Sequence, residues 1–169
     1  VSSTAEAIVN VTSAVATGPS ASYTFSSLAL GTASANRAVY MFVSGQDPEG
    51  DNMSVSSITV GGEDGRLASI VDSGAEAHYG SELWRADVPS GTTADIIVTW
   101  DQPTSQCGII VWAVSGDHFL YDLKTDLTNS TSSVSFTGVP DNSVILAGKA
   151  GTGSSLTSTW SSAVTENVD

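Results

Sequence analysis

The sequence predicts an all-β protein, a single antiparallel β-sandwich of jelly-roll-like type with roughly ten strands. Three observations predict this class. Runs rich in β-branched and aromatic residues recur about every eight to twelve residues, separated by Gly, Pro, Asn, Asp and Ser. No stretch of about twelve residues combines helical periodicity with capping residues. The 169 residues, 40% of them apolar, are enough for one packed core, so residues 1–169 are assigned to a single domain.

The predicted strands differ in how many of their faces are apolar. Residues 37–44 and 108–115 are apolar on both alternating faces, so we expect them to be central strands, with Trp112 in the core. Residues 22–28 alternate with Ser and Thr, which predicts one face in water. Residues 123–128 (LKTDLT) are more polar, and their lysine and aspartate suit an edge strand. In chain order, the predicted strands are residues 7–12, 22–28, 37–44, 55–60, 67–72, 81–86, 94–100, 108–115, 123–128, 133–137 and 143–148.

The connections between these strands carry residues that suit tight turns. Gly61-Gly62, Pro89-Ser90-Gly91 and Pro140-Asp141-Asn142 each lie between two predicted strands. Glycine and asparagine tolerate a positive φ, and proline presets φ for the first position of a turn. The turn chemistry therefore agrees with the strand pattern along the chain.

The charge balance restricts the classes of partner. Five Lys and Arg residues stand against 18 Asp and Glu residues, for a formal net charge of −13. Binding to a phosphate backbone or to an anionic membrane needs basic side chains, so we expect no nucleic-acid and no membrane partner. A basic or neutral protein, or a cation, fits the charge better. The alternative is that the charge serves solubility in a salty medium.

The densest acidic patch contains Asp47, Glu49 and Asp51 at alternate positions. Hard carboxylate oxygens at this spacing could hold calcium, which is the one cofactor that the sequence suggests. The order of residues differs from an EF-hand loop, because the repeated Asp positions and the terminal Glu are missing. A solvated acidic turn is the alternative reading.

Two tryptophans are candidates for stacking against a sugar ring. Trp84 and Trp160 lie near the ends of predicted strands, and Glu82 and Glu166 are close to them in sequence. An exposed aromatic ring flanked by carboxylates would suit a glycan site, whereas packing at the rim of the sandwich is the structural alternative. We expect no enzyme, because no Gly-x-Ser-x-Gly elbow occurs and the two histidines lie on different predicted segments.

The order of several phrases resembles a known family. The succession is similar to a β-sandwich, jelly-roll-like domain in structural proteins of tailed-bacteriophage virions, and related domains occur in secreted bacterial surface proteins. The resemblance extends over nearly the whole chain, and order and spacing carry it. The phrases are residues 22–45 (SYTFSSLALGTASANRAVYMFVSG), 57–62 (SITVGG), 83–100 (LWRADVPSGTTADIIVTW), 108–116 (GIIVWAVSG), 138–148 (GVPDNSVILAG) and 158–166 (STWSSAVTE).

The resemblance implies a non-enzymatic virion protein: a capsid decoration protein or a spike or fibre subunit. Its partners would be capsid or other virion proteins and further copies of itself, with a host-surface glycan as an additional ligand. The alternative is a carbohydrate-binding module of a viral or secreted bacterial protein. Similar domains continue beyond the phrase at residues 160–163 with a further hydrophobic strand, whereas this sequence ends at Asp169. Either that strand is not included in the sequence, or a neighbouring chain completes the sheet.

Overall fold

The computed structural model describes residues 7–46, 53–71 and 79–115, together with Leu146. Within these residues the chain forms seven strands and no helix, so the predicted all-β class is confirmed. The predicted strands that begin at residues 123, 133 and 143 fall outside this part, apart from Leu146. The strands are β1 (Ala7–Ala29), β2 (Arg37–Gln46), β3 (Val55–Val60), β4 (Glu63–Asp64), β5 (Arg66–Val71), β6 (Tyr79–Asp87) and β7 (Thr93–Ser115).

The strands form one antiparallel sheet that curls into a nearly closed, barrel-like shape. Its order is β4-β3-β7-β2-β6-β5, and β1 pairs along the other side of β7. The first part of β7 pairs with β3, where Ile58 lies opposite Val98. The second part pairs with β2, where Val39 lies opposite Ala113. Because β7 has different partners along its length, the sheet divides there and its two parts face each other.

The structure joins predicted strands that the sequence separates. Residues 7–12 and 22–28 belong to the single strand β1, and residues 94–100 and 108–115 belong to β7. The turn-like residues between them mark bends in continuous strands: Gly18 has φ 106°, and the β1–β7 register shifts between Thr17 and Ser20. Such bulges allow a proline or glycine inside a paired strand. The antiparallel pairing therefore continues through signals that predict strand ends.

Hydrogen bonds of Tyr23 stabilise the bend in β1 near Gly18. The Tyr23 hydroxyl donates toward the carbonyl oxygens of Gly18 and Thr104, and it accepts a hydrogen bond from Thr104 Oγ1 at 3.1 Å. Tyr23 and Thr104 are both buried. These bonds supply polar partners where the strand ladder is irregular, so the bend is held in a defined shape.

Side chains from both parts of the sheet form the main core, and a second cluster lies on its other side. The main core contains alternate residues of β2, β6 and β7, among them Met41, Trp84 and Val111. The opposite face of the same strands is also buried and includes Phe42 and Trp112. The two-sided burial predicted for residues 37–44 and 108–115 is therefore confirmed, as is the burial of Trp112.

One end of the barrel is organised by a buried arginine. Arg37 has 2% of its surface exposed, and its guanidinium donates to carbonyl oxygens through all three nitrogens. Five carbonyls thereby gain a charge-assisted hydrogen bond, which joins the residues after β1 to those after β6. The acceptors are the carbonyls of Val88 at 2.8 Å, Leu30 at 3.2 Å, Gly31 at 3.2 Å, Ser90 at 2.6 Å and Gly91 at 2.8 Å.

Candidate functional site

The candidate site lies where β3 and β6 meet without a shared backbone ladder. β3 pairs with β7 and β4, and β6 pairs with β2 and β5. Side chains bridge the gap between them. We call this region the seam, and define it by Val55 and Gly65 on one side and Glu82 and Trp84 on the other. Because the seam is where the barrel is not closed by backbone pairing, its side chains complete the wall.

A buried carboxylate bridges the seam. The alternation of β6 turns Gly80, Glu82 and Trp84 toward the core. Glu82 is 3% exposed, and its Oε1 accepts a hydrogen bond of 2.9 Å from the backbone N–H of Val55. Its Oε2 accepts a bond of 2.7 Å from Trp84 Nε1. Each carboxylate oxygen thus has a donor, which is the condition under which an acidic side chain is tolerated in a core.

Opposing influences act on the pKa of Glu82. Burial raises the pKa of Glu82 above its usual value, the hydrogen bonds from Val55 and Trp84 lower it, and the nearby charge of Asp101 raises it. Asp101 itself holds the residue before β3, because its two oxygens accept bonds from Ser54 N at 3.0 Å and Ser54 Oγ at 2.9 Å. The carboxylates of Glu82 and Asp101 therefore bind adjacent residues, Val55 and Ser54, at the beginning of β3.

Trp100 lies opposite Val55 at the beginning of β3, and its ring packs against two glycines. It is 2% exposed, and a Cβ atom added to Gly45 would lie 2.6 Å from its ring. A Cβ atom on Gly80 would lie 3.0 Å from the Met53 carbonyl and 3.3 Å from the same ring. Trp100 Nε1 has no hydrogen-bond partner of normal geometry. The ring therefore fits only because these two strand positions have no side chain.

The thiol beside this tryptophan is poorly reactive. Burial raises the pKa of Cys107 to about 11, and the indole of Trp100 lowers it by a smaller amount. The thiolate is the nucleophilic form, so a thiol with this pKa is almost entirely protonated at neutral pH. Cys107 behaves as a small core residue, as its position before an apolar run predicts.

The structure brings Glu82 and Trp84 together, as the sequence suggests, but inside the barrel wall. Trp84 is 7% exposed and its Nε1 is bound to the carboxylate, so its ring offers little free face to a sugar. Glycan stacking on Trp84 stays a prediction that would need the seam to open. Trp160 and its neighbour Glu166 lie outside the described residues. The chemical role that the contacts of Glu82 support is closure of the seam.

The calcium candidates also lie outside the described residues. Asp47, Glu49 and Asp51 belong to residues 47–52, between β2 and β3, and their arrangement stays a prediction. Within the part of the chain that the structure describes, no three His, Cys, Asp or Glu side chains are grouped so that they could hold a metal ion. No helix in that part is long and apolar enough to cross a membrane.

Two polar residues that hold the structure together are not predicted from the sequence: Arg37 at one end of the barrel and Tyr23 at the bend of β1. Arg37 begins one of the two predicted strands that are apolar on both faces, in a chain with five Lys and Arg residues, and a charged residue at this position is a usable signal of a buried role. Tyr23 alternates with serine and threonine on a half-wet strand, and nothing local indicates that its hydroxyl binds the distant Thr104. Comparisons with family models, with curated proteins and with solved structures each gave no match.

Proposed function

We propose that this chain is a non-enzymatic structural subunit of a virus particle, acting as a capsid decoration protein or as part of a spike or fibre of a tailed phage. The order of phrases in the sequence suggests this class. The observation that carries the proposal is the apolar surface of two of the three strands that border the described sheet. On β1, Val15 is 70% exposed, and on β5, Ile70 is 54% exposed.

Bordering strands with apolar side chains suit contacts between repeated subunits. A strand at the edge of a sheet offers backbone donors and acceptors to a further strand, and exposed apolar side chains add area that is buried on contact. Leu67, next to Arg66 on β5, is 45% exposed. Virus shells and spikes repeat one interface around symmetry axes, so a stiff barrel with two such borders suits assembly of a homo-oligomer.

The charge supports a protein partner of basic or neutral character. Of the three arginines among the described residues, Arg37 is buried, and Arg66 and Arg85 are both paired with Asp87, at 2.7 and 2.8 Å. Acidic groups such as Glu63 and Asp101 lie at the surface. A capsid surface with basic groups would attract such a subunit, and the attraction would weaken at high salt.

We extend the proposal to the complete fold, which we expect to be a jelly-roll-like sandwich of roughly ten strands. Support comes from the second buried cluster, which places apolar side chains such as Tyr40 and Leu83 on the outer side of the sheet. A sheet that is apolar on both faces needs a layer against each of them. The carbohydrate-binding alternative has less support, because Trp84 and Trp100 are buried.

Binding to particles tests this proposal. The purified chain would be incubated with phage particles that lack it and sedimented, beside Ile70→Asp and the control Thr24→Asp, which changes an exposed polar position of β1. We expect the wild type and the control to sediment with the particles and Ile70→Asp to remain in solution. Absence of the wild-type protein from particles, together with saturable binding to a glycan, would refute the structural role and favour the carbohydrate-binding alternative.

A further inference from the structure

Strand β1 is an edge strand without charged residues. Among the described strands it pairs with β7 alone, so its other edge offers backbone donors and acceptors to a further strand. The 5 Lys and Arg and the 18 Asp and Glu residues of the chain all lie outside residues 7–36, which include the whole of β1. Long edge strands are usually protected from pairing by charged side chains, above all lysine. β1 lacks this protection, so its edge is suited to pairing with another strand.

Irregularities in β1 limit where another strand can pair with it. The register against β7 shifts at either end of residues 12–17, and the second shift contains Gly18, with φ 106°, and then Pro19. Bulges and prolines turn an edge away from a partner. Residues 12–17 keep an unbroken register against residues 106–111. We call residues 12–17 the straight segment, and it is the part of β1 that can extend the ladder.

The straight segment carries the most exposed large apolar side chain of the described residues. Val15 is 70% exposed, and its neighbours on the same side of the strand, Ser13 and Thr17, are exposed as well. Ala14 and Ala16 point the other way and pack against the main core. The outward residues are small or β-branched and uncharged, which suits the surface of a sheet. A further strand beside them would therefore cover Val15 without burying a charge.

The distribution of charge indicates which partner fits this edge. Each copy of the chain has a formal net charge of −13, so two copies that meet through acidic surface bring like charges together. The straight segment contributes no charge, so two copies meet there with the least repulsion. A basic partner would instead be attracted to acidic surface such as Glu63 and Asp64, and it would gain no electrostatic attraction at an uncharged edge. A second copy is therefore the occupant that the charge pattern favours.

We propose that the straight segment pairs antiparallel with the same segment of a second copy, about a two-fold axis at Val15. This inference rests on the homo-oligomer of the proposed function and names its interface. Residues directly opposite each other in an antiparallel pair share a face, so the two Val15 side chains would be neighbours and Ser13 would lie opposite Thr17 of the second copy. Interfaces that are stable on their own bury about 1,200–2,000 Å², which is more than so short a strand pair provides. We therefore expect a weak dimer in solution, which repetition in a larger assembly would strengthen.

Disulfide cross-linking of the full chain tests the position of the axis. Val15→Cys is compared with Thr24→Cys, which replaces an exposed, uncharged residue of the same strand beyond the bend. Cys107 is kept in both variants, because its buried thiol is poorly reactive. Cysteines that face each other across two antiparallel strands are close enough for a disulfide, whereas position 24 lies well away from the axis. After circular dichroism has shown the same β spectrum for both, we expect Val15→Cys to form disulfide dimers at least about tenfold faster at equal protein concentration.

Sedimentation velocity at several salt concentrations tests the role of charge. Salt screens the repulsion between two acidic copies, so the dimer fraction of the wild type should increase with salt. Attachment to a basic particle surface should decrease instead. Ser13→Asp brings a negative charge into the strand pair twice and should abolish the dimer, whereas the matched control Thr24→Asp should leave it intact.

Four results would overturn the proposal. They are equal cross-linking of the two cysteine variants, a wild type that stays monomeric at every protein and salt concentration, a dimer that survives Ser13→Asp, and a dimer that dissociates as salt increases. All of them are measured on the protein alone. A failure here is therefore distinct from a failure of the structural role, which the sedimentation of Ile70→Asp with particles reports.

Discussion

Replacing Arg37 by lysine tests whether its hydrogen bonds hold one end of the barrel. The guanidinium has five N–H groups and five carbonyl acceptors, whereas a lysine ammonium has three donors. At least two carbonyls must lose their partner. Ser90 and Gly91 are exposed, so water can replace the donor at their carbonyls, whereas a buried carbonyl without a partner, such as that of Leu30 or Val88, costs about 1–3 kcal/mol. The expected loss is therefore about 1–3 kcal/mol. That is a large share of the about 5–15 kcal/mol by which domains are usually stable.

Urea denaturation followed by tryptophan fluorescence measures this loss. The matched control is Arg66→Lys, because the Arg66 side chain is 78% exposed and makes one ion pair, with Asp87. Exposed ion pairs contribute about 0–1 kcal/mol, so the control should unfold near the wild-type urea midpoint. A loss below about 0.5 kcal/mol for Arg37→Lys would refute the reasoning, since it would show that the five carbonyls do not depend on the guanidinium.

Three further changes follow from the core and the seam. Trp112→Ala should cost about 3–5 kcal/mol in denaturant melts through lost burial and a cavity, and a loss below about 1 kcal/mol would contradict its place in the second cluster. Gly45→Ala should cost about 1–3 kcal/mol in thermal melts because the new methyl group meets the Trp100 ring, and an unchanged melting temperature would contradict that contact. Glu82→Gln should alter the pH dependence of unfolding. Because the folded pKa of Glu82 is raised, its contribution is complete below its unfolded pKa, about 4.3, and is lost as the pH rises through the folded pKa. The stability of the wild type relative to Glu82→Gln should therefore fall as the pH increases from about 4, and a rise would contradict the assigned environment.

The sequence by itself determined the local structure of the described strands. The two-sided apolar alternation of residues 37–44 predicted a central strand, and β2 is such a strand. Residues 55–60 followed by Gly61-Gly62 predicted a strand and a tight turn, and both glycines have a positive φ. These properties depend on the period of side chains along one strand and on the backbone angles that glycine allows. Both are local and can be read from neighbouring residues.

In the candidate site, the sequence indicated that Glu82 and Trp84 lie together, and the tertiary structure decided what this pair does. Glu82 and Trp84 are two residues apart and share one face of any strand, so their closeness is local. The donation by Val55, which turns Glu82 into the bridge of the seam, joins strands that are 27 positions apart. A carboxylate near an aromatic ring has the same sequence pattern in a glycan site and in a barrel wall. Burial separates these roles, and burial depends on the other strands.

Only the tertiary structure decided how the strands continue and how their ends are held. The sequence predicts separate strands at residues 7–12 and 22–28 and at residues 94–100 and 108–115, yet β1 and β7 continue because each supplies the partner that keeps the other extended through the bend. The five carbonyls around Arg37 come from residues between 6 and 54 positions away. The physical reason is that strand pairing and buried hydrogen bonds satisfy backbone groups across long separations, whereas alternation and turn propensity report on a few neighbours.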